Sequence, residues 1–152
     1  MASKKRAVSA IKALGDLRLG IGYKDRSTLD PRDVETKISA NTNGFLLSGI
    51  LAARDWDRAD KLIRNVWGAM LSNDQPSSGA SWKYLTPDGR PGLCSFTSLG
   101  HPWGGAVTYV LTEWVAGVRA AEGADGFGYR NWELVWACLT QPRLFHSSRR
   151  VS

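Results

Sequence analysis

The feature that most constrains the fold is a pair of helical patterns separated by a very short joint. In residues 43 to 54 and 57 to 71, apolar side chains recur three and four positions apart, as on one face of an α-helix. Only the tripeptide DWD joins the two patterns, and Asp57 is predicted to cap the second helix. Two amphipathic helices with so short a joint are expected to pack antiparallel as an αα-hairpin. The apolar positions are Phe45, Leu46, Ile50 and Leu51, then Leu62, Ile63, Val66, Trp67, Met70 and Leu71.

A third helix is predicted after residue 105, and less regular segments lie around these three. Its apolar residues have the spacing of a buried seam. A shorter helix is predicted over residues 4 to 18, followed by a long connection over residues 20 to 42. Residues 73 to 105 are rich in Gly, Pro and Ser, with one possible strand at 81 to 85. The fold class expected is therefore mainly α, built from antiparallel helical hairpins. The seam of the third helix is Val107, Val110, Leu111, Trp114, Val115 and Val118.

Length and charge limit the classes of partner. The chain has 152 residues, which fits a single domain with a moderate core. Its net charge of +6 lies in the two ends, residues 1 to 19 and 136 to 152, while the middle is close to neutral. A nucleic-acid binder is expected to carry a basic face within its fold, so no nucleic-acid partner is predicted. No apolar run is long enough to span a membrane and none follows the basic start, so neither a membrane partner nor a secretion signal is predicted. The localisation stays open.

The last residues differ in character from the rest. From about residue 134 the sequence has no clear periodicity and a basic finish, which indicates a disordered tail over 134 to 152. A segment foreign to the ancestral protein, as after a frameshift or a missed splice, is the alternative, and the sequence does not separate the two. The predicted domain therefore covers residues 1 to 133.

Aromatic residues gather in two loop segments, GASWKYLTPDGRPG (79 to 92) and TSLGHPWGG (97 to 105). Trp82, Tyr84 and Trp103 flank His101 in these segments. Aromatic faces can stack on the C–H groups of a sugar while an imidazole bonds its hydroxyls, so a sugar site is one interpretation. A small satellite core beneath a long loop, with His101 as a hydrogen-bonded structural group, is the other. The residues alone leave both open.

Other chemistry finds little support in the sequence. There is no Gly-x-Ser-x-Gly elbow, no phosphate-binding loop and no cluster of metal ligands, so no cofactor or metal is predicted. Asp88 lies near the aromatic residues but belongs to TPDG, which predicts a turn. Cys94 and Cys138 are far apart and lack metal-ligand spacing. Two free thiols are expected for them, with a disulfide as the alternative.

The motifs, taken in order, resemble a known family. The run ISANTNGFLLSGILAARDWDRADKLIRNVWGAML, then GASWKYLTPDGRPG, TSLGHPWGGAVTYVLTEWVAGV and GFGYRNW, is similar to the closing part of the catalytic domain of α-L-rhamnosidases. The similarity covers about residues 5 to 133. These enzymes are six-hairpin glycosidases with an (α/α)6 barrel of twelve helices. The resemblance therefore implies part of an (α/α)6 toroid and a rhamnose-containing glycoside as ligand.

The resemblance also implies roles for individual residues. The family hydrolyses terminal α-L-rhamnosides with inversion, using one glutamic acid as general acid and another as general base. Lys83 stands at the base position, and the segment of the general acid has no counterpart in this sequence. An ammonium has no lone pair with which to accept a proton, so no catalytic residue is assigned. Trp82, His101 and Trp103 fall on positions that contact the sugar in the family.

The resemblance thus implies a glycosidase-like fragment of carbohydrate metabolism that is inactive alone. Because few helices are present, stripes such as Leu62, Val66 and Met70 are expected to be exposed and to favour self-association. One alternative is a working enzyme whose partner chain supplies the missing helices and carboxylates. Another is a sugar-binding or interaction module without a reaction. A basic nucleic-acid binder comes last.

Overall fold

The computed structural model describes residues 9–10, 13–72 and 77–118. About half of this part of the chain is helical and its strands are short, which confirms the coarse prediction of a mainly α fold. The toroid and the antiparallel orientation of the hairpin stay predictions. In chain order the elements are a 3-10 helix (Leu14–Leu17), β1 (Arg18–Leu19), β2 (Gly22–Tyr23), β3 (Ile38–Ser39), α1 (Ala40–Ala52), α2 (Trp56–Leu62) continued by a π-helical turn (Ile63–Trp67), β4 (Tyr84–Leu85), two 3-10 turns (Cys94–Phe96 and Pro102–Gly105), and α3 (Ala106–Val110) continued by a π-helical turn (Leu111–Val115).

The chain divides into two units, Met1–Val107 and Thr108–Ser152. Within the second unit, the Thr112 hydroxyl donates to the Thr108 carbonyl at 2.9 Å.

No helix among residues 9–10, 13–72 and 77–118 has the length and apolar character needed to cross a membrane. The predicted boundary at residue 133 and the predicted tail lie outside the described residues.

Helix α1 begins earlier than the periodicity predicts. Ser39 caps it, because its hydroxyl accepts a hydrogen bond from the Thr42 backbone N–H at 3.3 Å. The inner face includes the large apolar side chains of Leu47, Ile50 and Leu51, all buried, whereas Phe45 is 75% exposed. The expectation that Phe45 lies on the buried face is therefore wrong.

Helix α2 is capped by Asp55 rather than Asp57. The Asp55 carboxylate accepts from the Arg58 backbone N–H at 3.2 Å and from the Arg58 Nε at 3.0 Å. The helix consequently starts at Trp56, one residue before the predicted cap, and Asp57 falls in its first turn. Helices α1 and α2 are in contact, as the short joint predicts.

The apolar stripe of α2 and its π-helical turn is buried, which corrects the prediction of an exposed stripe. Leu62, Val66 and Met70 are between 0% and 3% exposed. Val66 packs close to Gly22 of β2, and the Met70 sulfur lies 3.3 Å from the Trp82 backbone nitrogen. Strands and loops thus cover the stripe in the place of further helices.

Four two-residue strands within the described residues form two antiparallel pairs. Strand β1 pairs with β2, and β3 pairs with β4 through Ile38↔Leu85 and Ser39↔Tyr84. The predicted strand at 81 to 85 is therefore shorter than expected, and the predicted connection at 20 to 42 contains structure of its own. Its end is tied to the loop region by the β3–β4 pair.

The third helix and the first differ from their predictions. In the third, Val110 is buried, but Leu111 is 37% and Val118 39% exposed. The π-helical turn at Leu111–Val115 advances the chain by more residues per turn than an α-helix, so a stripe at α-helical spacing rotates out of line there. The first predicted helix ends by Leu17, because Arg18 enters β1. Of its predicted residues, 4 to 8, 11 and 12 lie outside the described residues.

Candidate functional site

The two aromatic loop segments lie side by side. The Lys83 backbone N–H donates to the Ser98 carbonyl at 3.0 Å, and the His101 N–H donates to the Ser81 carbonyl at 2.8 Å. On the other side of the same segment, the Ala40 N–H donates to the Lys83 carbonyl at 3.2 Å. Residues 81 to 83 are therefore held between the start of α1 and the loop that carries His101.

His101 and Trp103 lie next to each other at the outer side of this region. Their ring centroids are 6.4 Å apart with an interplanar angle of 79°, an edge-to-face arrangement. The Trp103 side chain is 69% exposed, and His101 is half-buried. One aromatic face and one imidazole thus stand next to each other at the surface.

The turn that carries Trp103 is fixed from below. Pro102 begins the 3-10 turn, where its fixed φ suits a helical start. The Trp67 indole N–H donates to the Gly104 carbonyl at 2.7 Å. A Cβ on Gly104 would lie only 2.7 Å from the Trp82 carbonyl oxygen, so this approach requires glycine. The turn is consequently a rigid support for the two rings.

Trp82, the third residue of the predicted sugar site, lies in the core. Its side chain is 0% exposed. A buried indole cannot stack on a sugar in this conformation, so the structure separates Trp82 from the surface pair. Its packing role corresponds to the satellite core that the sequence left open as the alternative.

Two buried polar atoms of this region lack a hydrogen-bond partner within the part of the chain that the structure describes. They are the Trp82 Nε1 and the His101 Nδ1. Buried polar groups are hydrogen-bonded as a rule, so each such atom calls for an explanation. A neutral imidazole offers one nitrogen as a donor and the other as an acceptor. Because the Nδ1 of His101 is buried, only its Nε2 can bond a hydroxyl group of a ligand.

Lys83 is exposed, and its ammonium lies over the Tyr84 ring, 5.3 Å from the centroid. This cation–π contact holds the charge at the surface. The lysine donates hydrogen bonds and accepts none, so this position has no general base.

Asp88, the nearest carboxylate in sequence, is part of a tight turn as predicted. The Gly89 N–H donates to the Thr86 carbonyl at 2.9 Å, and Gly89 has a φ of +89°. The hydrogen bond from the Thr86 hydroxyl, helped by the nearby Arg90, holds the pKa of the Asp88 carboxyl below its ordinary value. A carboxyl group of this kind stays ionised and is unsuited to the role of general acid.

Residues 9–10, 13–72 and 77–118 contain no metal site and no paired thiols. No group of three or more His, Cys, Asp and Glu side chains is placed to hold a metal ion there. Cys94 is a free, exposed cysteine. Cys138 and His146 lie outside the described residues.

Two buried polar residues could not be predicted from the sequence. Asn43 is 0% exposed, and its amide bonds the backbone of Tyr23 and Ser39. Lys24 is 5% exposed, and its ammonium donates to the Ser27 carbonyl at 3.0 Å and the Leu29 carbonyl at 2.6 Å. Neither residue type signals burial, because both are usually found at the surface.

Comparisons with protein-family models, with curated proteins and with solved structures found no match to this chain.

Proposed function

We propose that this chain is part of an α-L-rhamnosidase-like catalytic domain that binds L-rhamnose residues at His101 and Trp103 and does not hydrolyse them alone. The observation that carries the proposal is the adjacency of the motifs on which the resemblance rests. Residues 81 to 83 bond to residues 98 to 101 and to Ala40, at the start of the helix pair. Motifs distant in the sequence thus supply one small surface.

The surface pair has the chemistry that a deoxyhexose requires. The exposed face of Trp103 can stack on the C–H groups of the ring and on its methyl group. The half-buried imidazole of His101 can bond a neighbouring hydroxyl. Because both rings stand on the turn held by Gly104, little ordering is needed on binding.

The lack of hydrolysis follows from the charge at the base position. Inverting hydrolysis needs two carboxyl groups that flank the scissile bond with room for a water molecule. Lys83 cannot accept the proton of that water, and Asp88 is occupied in its turn. Binding without turnover is the expected behaviour of the chain by itself.

The proposal is tested by calorimetric titration of the full chain with methyl α-L-rhamnopyranoside. We expect saturable binding that Trp103→Ala and His101→Ala each weaken roughly fivefold to tenfold. Phe96→Ala removes another exposed aromatic ring, 89% exposed on a different turn, and should leave the affinity unchanged. Absence of binding, or equal losses in all three variants, would overturn the proposal.

A parallel assay with an aryl α-L-rhamnoside tests the second half of the proposal. We expect no release of the aryl alcohol by the chain alone. Turnover by the chain alone that survives in Trp103→Ala would show a reaction centre elsewhere. Turnover that appears only with an added partner chain would support the alternative in which a partner supplies the carboxylates.

A sugar-binding module outside the rhamnosidase family is the second candidate. The observation that favours it is the ammonium of Lys83 where a catalytic carboxylate is expected. Titration with methyl α-D-mannopyranoside and methyl α-L-fucopyranoside separates the two candidates. A marked preference for the rhamnoside supports the first candidate, and equal affinities support the second.

A further inference from the structure

A cavity of about 470 Å³ lies between the segment of the first two strands and the start of α2. It shares no residue with the site described above. Its apolar lining includes Leu14 and Tyr23, which are 7% and 4% exposed. Ligand sites for small molecules have volumes of this order. The cavity is therefore large enough for a small organic molecule.

Charged side chains line the rest of the cavity. Arg18 belongs to β1, while Asp57 and Lys61 stand one turn apart on α2. Within the described residues, the structure gives none of these three an ion pair, whereas Asp55 and Arg58 pair with each other at 3.0 Å. Two cations and one carboxylate are consequently available to a ligand.

The Arg18 guanidinium is held in place by Tyr23. Its central carbon lies 5.4 Å from the centroid of the Tyr23 ring. Stacking of this kind leaves the N–H edge of the guanidinium free, and that edge matches the two oxygens of a carboxylate. Tyr23 is itself fixed, because Asn43 bonds both its backbone N–H, at 3.0 Å, and its carbonyl, at 2.8 Å.

The opposite wall is also ordered before any ligand binds. Asp55 caps α2 and pairs with Arg58, so the first turn that carries Asp57 has a defined position. The cavity therefore presents cationic donors on two elements and one acceptor between them. A dianion such as phosphate would meet repulsion from Asp57, whereas a monoanion with hydroxyl or ammonium donors would find a partner for each group.

We propose that this cavity binds a small monocarboxylate that also carries hydroxyl or ammonium donors. Arg18 and Lys61 hold the carboxylate, and Asp57 accepts from the donor groups. Hydroxy acids and amino acids share this chemistry. The site adds a second ligand to the chain and does not depend on the proposed sugar site.

The test is an NMR titration of the ¹⁵N-labelled full chain with sodium D-gluconate, glycine, D-glucose and sodium phosphate. We expect saturable shifts from gluconate or glycine, located at the amides of residues 14 to 23 and 55 to 61. D-Glucose, which lacks the carboxylate, should produce none. Tighter binding of gluconate identifies hydroxyl donors as the partners of Asp57, and tighter binding of glycine identifies the ammonium.

Three variants and one control assign the residues. Arg18→Gln and Lys61→Gln should each weaken the bound carboxylate about tenfold, and Asp57→Asn should weaken glycine more than gluconate. Arg32→Gln removes an exposed arginine outside the cavity and should have no effect. The proposal is overturned if neither carboxylate binds, if phosphate or glucose binds as tightly, or if Arg18→Gln behaves like Arg32→Gln.

Discussion

At the scale of single residues, Asn43 shows what the sequence could not predict. It lies on α1 in a stretch that predicts only a helix, yet its side chain joins α1 to β2 with two hydrogen bonds to the Tyr23 backbone, of 3.0 and 2.8 Å, and donates a third to the Ser39 carbonyl at 2.9 Å. Helical periodicity identifies apolar positions, and it does not predict that a polar helix residue will bond the backbone of a neighbouring strand. Trp82 is the converse case: its motif predicts a surface ring, but the side chain is 0% exposed and the backbone nitrogen lies 3.3 Å from the Met70 sulfur.

Asn43→Ala should lower the free energy of unfolding by about 2–4 kcal/mol, because it leaves buried backbone groups of Tyr23 without partners. Asn65→Ala is the matched control, since Asn65 is exposed in the π-helical turn after α2. Urea unfolding measures both. A loss for Asn43→Ala no larger than that for Asn65→Ala would contradict the role given to the side chain.

The Asp88 carboxyl supplies a prediction of pH dependence. The Thr86 hydroxyl donates to it at 2.5 Å and lowers its pKa from the ordinary value of 3.8. A lowered pKa in the folded state stabilises the fold above pH 3.8, and this contribution disappears as the pH falls through the folded pKa. In a carbon-detected NMR titration, Thr86→Val should raise the pKa of Asp88 toward 3.8.

The same titration contains its own reference. Hydrogen bonds from Arg32 lower the pKa of Asp30, and Thr86→Val leaves those bonds intact. The Asp30 pKa should therefore stay where it is. An Asp88 pKa that does not move in the variant would mean that the hydroxyl is not the cause.

At the scale of elements, the sequence predicts where helices exist better than where they begin. The spacing of Ile50, Leu51, Leu62 and Val66 identifies the helix pair, and all four are buried. The exact caps were missed, because Asp55 and Asp57 are equally good cap residues and only the backbone conformation selects Asp55. The π-helical turns were missed as well, since no residue pattern separates them from α-helix.

The pair Asp55→Ala and Asp57→Ala tests the start of α2. Asp55→Ala should lower the free energy of unfolding by about 1 kcal/mol, because the cap and the ion pair with Arg58 are lost together. Asp57→Ala should cost at most a few tenths of a kcal/mol, from the weaker interaction with the helix dipole. Urea unfolding measures both losses. A larger loss for Asp57→Ala than for Asp55→Ala would mean that Asp57 caps the helix, as the sequence predicts.

Two glycines of α1 test how closely the helix approaches the chain near residue 106. A Cβ on Gly44 would lie 2.3 Å from the Ala106 Cβ, whereas a Cβ on Gly49 would meet no atom of the described residues within 4 Å. Gly44→Ala should therefore destabilise by about 1–3 kcal/mol through overpacking. Gly49→Ala should stabilise by up to about 1 kcal/mol, as expected for a helix interior. Thermal unfolding of the two variants gives opposite shifts if this packing is right, and shifts of the same sign if it is wrong.

At the scale of the molecule, strands and loops bury the apolar faces of the helices. The resemblance to a twelve-helix barrel implies that neighbouring helices would do so. The apolar stripe of α2 packs on β2 and on the loop that contains Trp82, and Trp67 bonds Gly104. Sequence patterns of short range cannot predict such cover, because it depends on contacts between segments far apart in the chain. The periodicity of apolar residues predicts a mainly helical fold. It does not predict which loop segments lie side by side at the candidate site.

The same long-range contacts bring the residues of the proposed sugar site together. Binding of L-rhamnose therefore tests both these contacts and the proposed function. The most direct measurement is the unfolding midpoint of the full chain by differential scanning calorimetry, with and without saturating L-rhamnose. Binding to the folded state alone raises the midpoint. We expect a rise in the native chain and in Phe96→Ala, and a smaller rise in Trp103→Ala, whose affinity is roughly fivefold to tenfold lower. A midpoint that L-rhamnose leaves unchanged in the native chain, or raises equally in Trp103→Ala, would contradict the proposed sugar site.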